Sequence, residues 1–320
     1  MKVAILDDYQ RAALASADWS AVAQRAEVVA YEDHLDDADA LVERLRDAEV
    51  IVAMRERTPF QRALIERLPN LRLLVTTGRR NASIDVAAAN DAGVTVCGTN
   101  GLDHPTAELT WALILAMLRR IPKEEQAIRE GRWQVDLGED ARGKVLGVLG
   151  LGRLGSQVAK VGQAFGMPVL AWSQNLTRER TDELGVELAA SKDDLLRRAD
   201  ILTIHLILSD RSHGLLGASD LQQMKPTAYL VNTSRGPIVD EDALVAALRE
   251  RTIAGAALDV FDHEPLTAGH PFLGLDNVLL SPHIGYVSKE NYRVFYGGAV
   301  EDILAFLDGS PVRVIEPPRR

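Results

Sequence analysis

An apolar run, Val145-Leu146-Gly147-Val148-Leu149, leads directly into Gly150-Leu151-Gly152-Arg153-Leu154-Gly155, and a helical pattern follows from Ser156. No other stretch of the chain constrains the fold as tightly. The three glycines fit G-x-G-x-x-G, and each has a physical task. One makes a tight turn, one lets backbone approach a pyrophosphate, and one lets helix pack on strand. The helix N-terminus then offers unpaired N–H groups and positive dipole to an anion. A glycine turn alone is a weak signal, because any α/β protein can have one. Here strand, turn, helix and a second strand at Val169–Trp172 come in the required order. The expected role is dinucleotide binding, with Gly150, Gly152, Arg153, Leu154 and Gly155 at the phosphates.

The same alternation fills the rest of the chain. Buried-strand patterns occur at Val3–Leu6, Glu27–Tyr31, Val50–Met54, Leu71–Thr76 and Val94–Cys97, with helical spacing at Asp37–Asp47 and about Pro59–Leu68. Thr106–Leu118 reads as an apolar, buried helix with Pro105 in its first turn. A polar stretch, Pro122–Lys144, precedes a second series: Val145–Leu149, Val169–Trp172, Ile201–His205, Ala228–Asn232, Gly255–Val260 and Asn277–Ser281. A last helix is expected at about Lys289–Leu307. Repeated strand–helix units imply parallel sheets covered on both faces. A length of 320 residues allows two such domains.

Charge and composition exclude several classes. The formal net charge is −10, which argues against a nucleic-acid partner held by a basic face. The single cysteine, Cys97, excludes an intrachain disulfide framework, fits a reducing compartment, and reads as a small buried residue. The longest apolar run, Trp111–Leu118, falls well short of the roughly 20 residues that span a bilayer. The N-terminus lacks the pattern of a signal peptide. These features lead to the expectation of a cytoplasmic protein with no membrane partner. No cluster has metal-ligand spacing, and Asp7-Asp8 reads as a solvated strand end.

The acid that usually holds the adenosine ribose should end the second strand of the nucleotide unit. That strand is followed here by Ser173-Gln174-Asn175. Ser173 removes the repulsion that an acid exerts on a 2′-phosphate. Gln174 adds an amide donor, and Arg178 or Arg180 could reach a phosphate. Dual use of NAD and NADP is expected.

Three polar groups follow later strands. They are Asn232-Thr233-Ser234-Arg235-Gly236, Asp259-Val260-Phe261-Asp262-His263-Glu264, and Ser281-Pro282-His283-Ile284-Gly285. Strand C-termini of an open α/β sheet face the ligand crevice. Arg235, Glu264 and His283 together suit hydride transfer to a 2-keto acid. The arginine binds a carboxylate and polarises the adjacent carbonyl. The histidine moves the hydroxyl proton. The carboxylate orients the imidazole and steadies its protonated form. Among seven histidines only His283 gains from context. His263 adjoins Glu264 but should point the other way on an extended segment.

With these motifs in order, the chain resembles the D-isomer-specific 2-hydroxyacid dehydrogenase family over nearly its whole length. Pro105-Thr106-Ala107-Glu108 and Leu258-Asp259-Val260-Phe261 with Glu264-Pro265 add to the match. The resemblance implies Arg235 as the substrate-binding arginine, Glu264 as the partner of the histidine, and His283 as general acid/base. It also implies Asp259 on the nicotinamide side, with Thr233 and Thr106 along the cofactor. It implies two doubly wound parallel-sheet domains, a Rossmann-type cofactor domain (101–286) inserted in a flavodoxin-like substrate domain (1–100 and 287–320), and a homodimer.

The family's substrate-carboxylate loop reads here Thr77-Gly78-Arg79-Arg80-Asn81, with one glycine and two arginines. With Arg55 and Arg57 after the third strand, this leads to the expectation of a cationic pocket around Arg55, Gly78, Arg79, Arg80 and Arg235. Such a pocket would take a small anionic 2-keto or 2-hydroxy acid with a second anionic or polar group. The opposing expectation is that these arginines pair with acids such as Glu56 and Asp85. The alternative function is an NAD(H)-sensing regulator on the same fold.

Overall fold

The computed structural model describes residues 1–317. The chain divides into two compact units: Met1–Leu102 with the chain from Val287 onward, and Asp103–Tyr286.

The first unit holds β1 (Lys2–Ile5), β2 (Glu27–Ala30), β3 (Val50–Ala53), β4 (Leu73–Thr76) and β5 (Thr95–Gly98). All pair in parallel in the order β2-β1-β3-β4-β5, the flavodoxin-like arrangement. The central strands Val50-Ile51-Val52-Ala53 and Leu73-Leu74-Val75-Thr76 are buried at every position, as strands covered on both faces must be. Fully burying each large side chain among them contributes about 1.5–3 kcal/mol. Asp37 caps the helix Ala38–Leu45 by accepting from the Ala40 N–H. Helix Lys289–Leu307 begins at Ser288 and buries Tyr292, Phe295, Tyr296 and Ile303 in this unit.

Two local expectations are corrected here. The helix expected over Pro59–Leu68 shrinks to Arg62–Ile65, because the Phe60 N–H bonds Ser83 O and Phe60 forms a parallel bridge with Ile84. Asp7 and Asp8 are not solvated; each is 2% exposed. The edge of β5 is covered by an antiparallel contact from the C-terminal segment, with Gly98 N to Arg313 O at 3.1 Å and Ile315 N to Val96 O at 2.8 Å. That contact protects an otherwise open strand edge. Cys97 is buried in β5, as expected, and burial pushes its thiol up to about 12.

The second unit holds β6 (Leu146–Leu149), β7 (Val169–Trp172), β8 (Glu187–Leu188), β9 (Ile201–Ile204), β10 (Tyr229–Asn232), β11 (Gly255–Leu258) and β12 (Val278–Leu280). The sheet is parallel in the order β12-β11-β10-β9-β6-β7-β8. This is the Rossmann order with one further strand. The two-residue β8 was too short to read from the sequence. Helix Pro105–Leu118 buries Trp111, Ile114 and Leu118 against a core that includes Val148, Val158 and Tyr229. The polar stretch contains a helix, Ile121–Arg129, around which Ile121, Ile128, Trp133 and Leu137 are exposed. Among the described residues no helix is long and apolar enough to cross a membrane.

Candidate active site and cofactor cleft

β6 lies between β7 and β9, where the strand order reverses. A crevice opens at such a point beyond the strand C-termini. The turn after β6 needs its glycines for separate reasons. Gly150 has φ +102°, which L side chains avoid. A Cβ on Gly155 would lie 2.0 Å from the Gly150 carbonyl oxygen, so helix Arg153–Ala164 reaches the strand only through a glycine. At Gly152 a Cβ would meet nothing within 4 Å, so that backbone faces open space.

The space is a cavity of about 580 Å³ walled by Gly150, Gly152, Arg153, Leu154, Ser173 and Gln174 among others. Arg180 and Arg211 also line it, and no carboxylate does. Arg180 donates to Ser156 Oγ at 3.0 Å and pairs with Glu183 at 2.9 Å. Arg178 is not in the wall. His205 is; burial pushes its pKa down to about 4, and Thr203 Oγ1 holds its Nε2 at 2.9 Å. It therefore contributes a neutral surface. Open glycine backbone, a helix N-terminus and three arginines in a wall that contains no carboxylate fit the phosphates of a dinucleotide.

The second cluster follows β10, β11 and β12, which are neighbours in the sheet. His283 Nδ1 lies 2.5 Å from Glu264 Oε2, and Glu264 Oε1 accepts from the Phe261 N–H at 3.0 Å. One carboxylate thus ties the imidazole to the turn after β11. Arg235 follows β10 on extended backbone, with Nη1 on Ser234 O at 2.6 Å. Asn232 shapes this turn, since its Nδ2 donates to Arg235 O at 2.9 Å and its Oδ1 accepts from Ser234 N at 3.0 Å. A Cβ on Gly236 would lie 2.2 Å from the Phe261 carbonyl carbon. Glycine there lets the turn carrying Arg235 press against the turn carrying Glu264.

Asp259 is buried, and burial raises its pKa. Its carboxylate accepts from Ser281 Oγ at 2.6 Å and from the Ile284 and Gly285 N–H groups at 2.9 Å each. It pins the turn that carries His283, whose φ is +52°. Thr106 donates to Gly285 O at 3.0 Å, and Thr233 shares a 2.8 Å bond with Thr110. These three residues stand with the later turns, outside the wall of the glycine-turn cavity. His263 is exposed. Sequence reasoning gave no role to Arg211, Asn232 or Gly236. The glycine after Arg235 was the one visible signal for the close approach.

In the first unit, Arg55 follows β3 and Gly78 follows β4. Arg55 donates to Thr77 O at 3.2 Å and pairs with Glu56 at 3.4 Å. Arg79 and Arg80 are exposed, with Arg79 Nε on Asn100 Oδ1 at 3.1 Å. Asp85 instead caps a helix by accepting from Ala88 N. Part of the expected positive charge is therefore offset locally. Among the described residues no group of three or more His, Cys, Asp or Glu could hold a metal ion.

Residues 111–285 match the family described as D-isomer specific 2-hydroxyacid dehydrogenase, NAD binding domain. The chain belongs to the D-isomer-specific 2-hydroxyacid dehydrogenase family. A glyoxylate reductase from Aeropyrum pernix is 45% identical over 256 residues, 77% of this chain and 76% of that protein. A hydroxypyruvate reductase from Blautia hydrogenotrophica is 30% identical over 98% of this chain and 99% of its own. The crystal structure of a phosphoglycerate oxidoreductase from Vibrio cholerae is 38% identical and superposes with a TM-score of 0.93, covering 97% of this chain and all of that one. The protein is a nicotinamide-dependent oxidoreductase of D-2-hydroxy acids. The regulatory alternative finds no support among these relatives.

Proposed function

We propose that the chain reduces small 2-keto acids, with Arg235 as substrate-binding arginine, His283 as proton donor and Glu264 as its orienting partner. The single observation that carries this reading is the 2.5 Å Glu264–His283 contact, beside a turn that presents Arg235. The Arg235 guanidinium takes the substrate carboxylate and draws electron density from the neighbouring carbonyl. Glu264 accepts at Nδ1, which fixes the ring and leaves Nε2 to deliver its proton to the carbonyl oxygen. The bound nicotinamide supplies the hydride. Asp259 keeps the His283 turn in place on the nicotinamide side, and Thr106 and Thr233 lie along the cofactor. In the oxidative direction His283 takes the proton back.

The unit Asp103–Tyr286 acts as the cofactor domain, and Gly150, Gly152, Arg153, Leu154, Gly155, Ser173 and Gln174 hold the dinucleotide. The cavity wall combines Ser173 and Arg180 with no carboxylate, which supports use of NADPH as well as NADH. Nothing in it would repel a 2′-phosphate.

Arg55, Gly78, Arg79 and Arg80 serve as further substrate-binding residues. Because Glu56 offsets Arg55, the preferred substrate carries one carboxylate and only a small uncharged group on the keto carbon, such as the hydrogen of glyoxylate or the hydroxymethyl of hydroxypyruvate, the substrates in the names of two relatives. The chain acts in the cytoplasm as a homodimer formed through the cofactor domain. Support for the dimer comes from the exposed apolar side chains Ile121, Ile128, Trp133 and Leu137 on that unit. Sedimentation at micromolar concentration tests it, and a monomer would contradict it. Initial rates with a series of 2-keto acids and both reduced cofactors test the enzymatic reading. Faster turnover of dicarboxylic or phosphorylated keto acids than of hydroxypyruvate would overturn the substrate assignment.

A further inference from the structure

Asp7 follows β1 and Arg55 follows β3, and those strands are paired. Asp7 has φ +58° and Arg55 φ +50°, with Gly78 beyond β4 at +97°. Left-handed backbone at non-glycine residues costs free energy, and it persists where surrounding contacts enforce it. At Asp7 those contacts are specific. Its Oδ2 accepts from Thr58 Oγ1 at 2.7 Å, and its Oδ1 lies 2.7 Å from His34 Nδ1. Asp7 and Thr58 are each 2% exposed. His34 is clamped in turn by Asp36 at 3.1 Å on Nε2.

Neighbouring Asp8 shows what an ordinary strand-end acid does here. Its carboxylate accepts from the Ala12 and Ala13 N–H groups and caps its own turn. The Asp7 carboxylate satisfies no local backbone. Its two bonds run to different segments, and the one to Thr58 closes the turn Arg55-Glu56-Arg57-Thr58. The far end of that turn is tied to the next strand by Arg55 N on Thr77 Oγ1 at 2.9 Å. Arg57 stands 5.0 Å over the ring of Tyr9, two residues beyond Asp7. The hydrogen bond to Asp7 raises the pKa of His34 against the effect of its burial, so imidazolium and carboxylate hold each other in place.

We propose that Asp7, clamped by His34, is a positioning residue that holds the Arg55–Thr58 turn through Thr58 in the shape that binds the keto acid. The proposal rests on the reading that this turn contacts substrate. It predicts an effect on substrate affinity rather than on the chemical step, because Asp7 acts only through the turn.

Thr58→Val keeps the side-chain shape and removes the donor. The Michaelis constant for the keto acid should rise about tenfold, the ordinary worth of one such hydrogen bond. The value of kcat should change far less, and cofactor affinity read from quenching of protein fluorescence should not move. Thr58→Ser should restore the wild-type constant, which a merely structural role for the methyl group would not predict. If Thr58→Val does not fold, His34→Asn must raise the same constant by loosening Asp7. Arg55→Ala separates the two levels of inference. If it leaves the keto-acid constant unchanged, the turn does not bind substrate and the proposal falls with that reading. If it raises the constant while Thr58→Val, or in its place His34→Asn, behaves as wild type, the positioning role alone is overturned.

Discussion

Glu264 Oε2 meets His283 Nδ1 at 2.5 Å, while the other oxygen of the same carboxylate is held by the Phe261 N–H. One carboxylate therefore fixes the imidazole at Nδ1 and ties it to the turn after β11. Glu264→Gln keeps the size but can present an amide donor to Nδ1, which favours the wrong tautomer. It should lower kcat for keto-acid reduction by about 10² to 10⁴, the range lost with a positioned general acid. Steady-state kinetics at saturating cofactor check this, and unchanged turnover would remove Glu264 from the mechanism.

The glycine turn yields a prediction of opposite sign to helix propensity. Alanine at Gly155 would gain up to about 1 kcal/mol as a helix former. Its Cβ would also lie 2.0 Å from the Gly150 carbonyl oxygen. Overpacking of that kind costs about 1–3 kcal/mol, so the clash wins. Gly155→Ala should lower the unfolding midpoint in urea and weaken binding of both reduced cofactors. A variant of wild-type stability and affinity would mean the helix can withdraw from the strand freely.

Cofactor choice turns on Ser173. Ser173→Asp places a carboxylate where none lines the cavity, so it should shift preference toward NADH by at least about tenfold in kcat/KM. Arg180→Ala should weaken NADPH more than NADH. The wild type should use NADPH at least as well as NADH. A wild-type preference for NADH above about a hundredfold, 2.7 kcal/mol, would show that other contacts decide.

The half-buried Asp7–His34 pair makes stability depend on pH. His34 has its pKa raised from the ordinary 6.5, first by its hydrogen bond to Asp7. The folded state therefore holds this proton more tightly than the unfolded chain. Its contribution is complete below about pH 6.5 and disappears as pH rises through the raised folded value. Asp7 and Asp36 are the charges that touch it. The gap in melting temperature between the wild type and His34→Gln should be widest at pH 6 and narrow toward pH 9. A gap that widens with pH would reverse the assigned charge state.

Much of this was legible in the sequence because it is local. Gly150, Gly152 and Gly155 sit between an apolar run and a helical one, so turn, strand and helix identify each other. Arg235, Glu264 and His283 each stand just past a strand pattern. What escaped depends on distant parts of the chain. Only the fold shows Gly236 pressed on the Phe261 backbone, or Arg211 brought into the cavity wall. The 313–315 segment is too short to stand out as a strand in the sequence, yet it pairs with β5 because that edge needs partners. Asp7 looked solvated because two adjacent acids after a strand usually are. Its burial follows from His34 and Thr58, which lie 27 and 51 residues further along the chain.

The most direct measurement is the initial rate of reduced-cofactor oxidation with hydroxypyruvate and glyoxylate, wild type against His283→Ala, with cofactor affinity measured alongside. The expected result is clear turnover by the wild type, a fall of about 10² to 10⁴ in the variant, and unchanged cofactor binding. A variant that turns over at near the wild-type rate would contradict the assignment of proton transfer to His283.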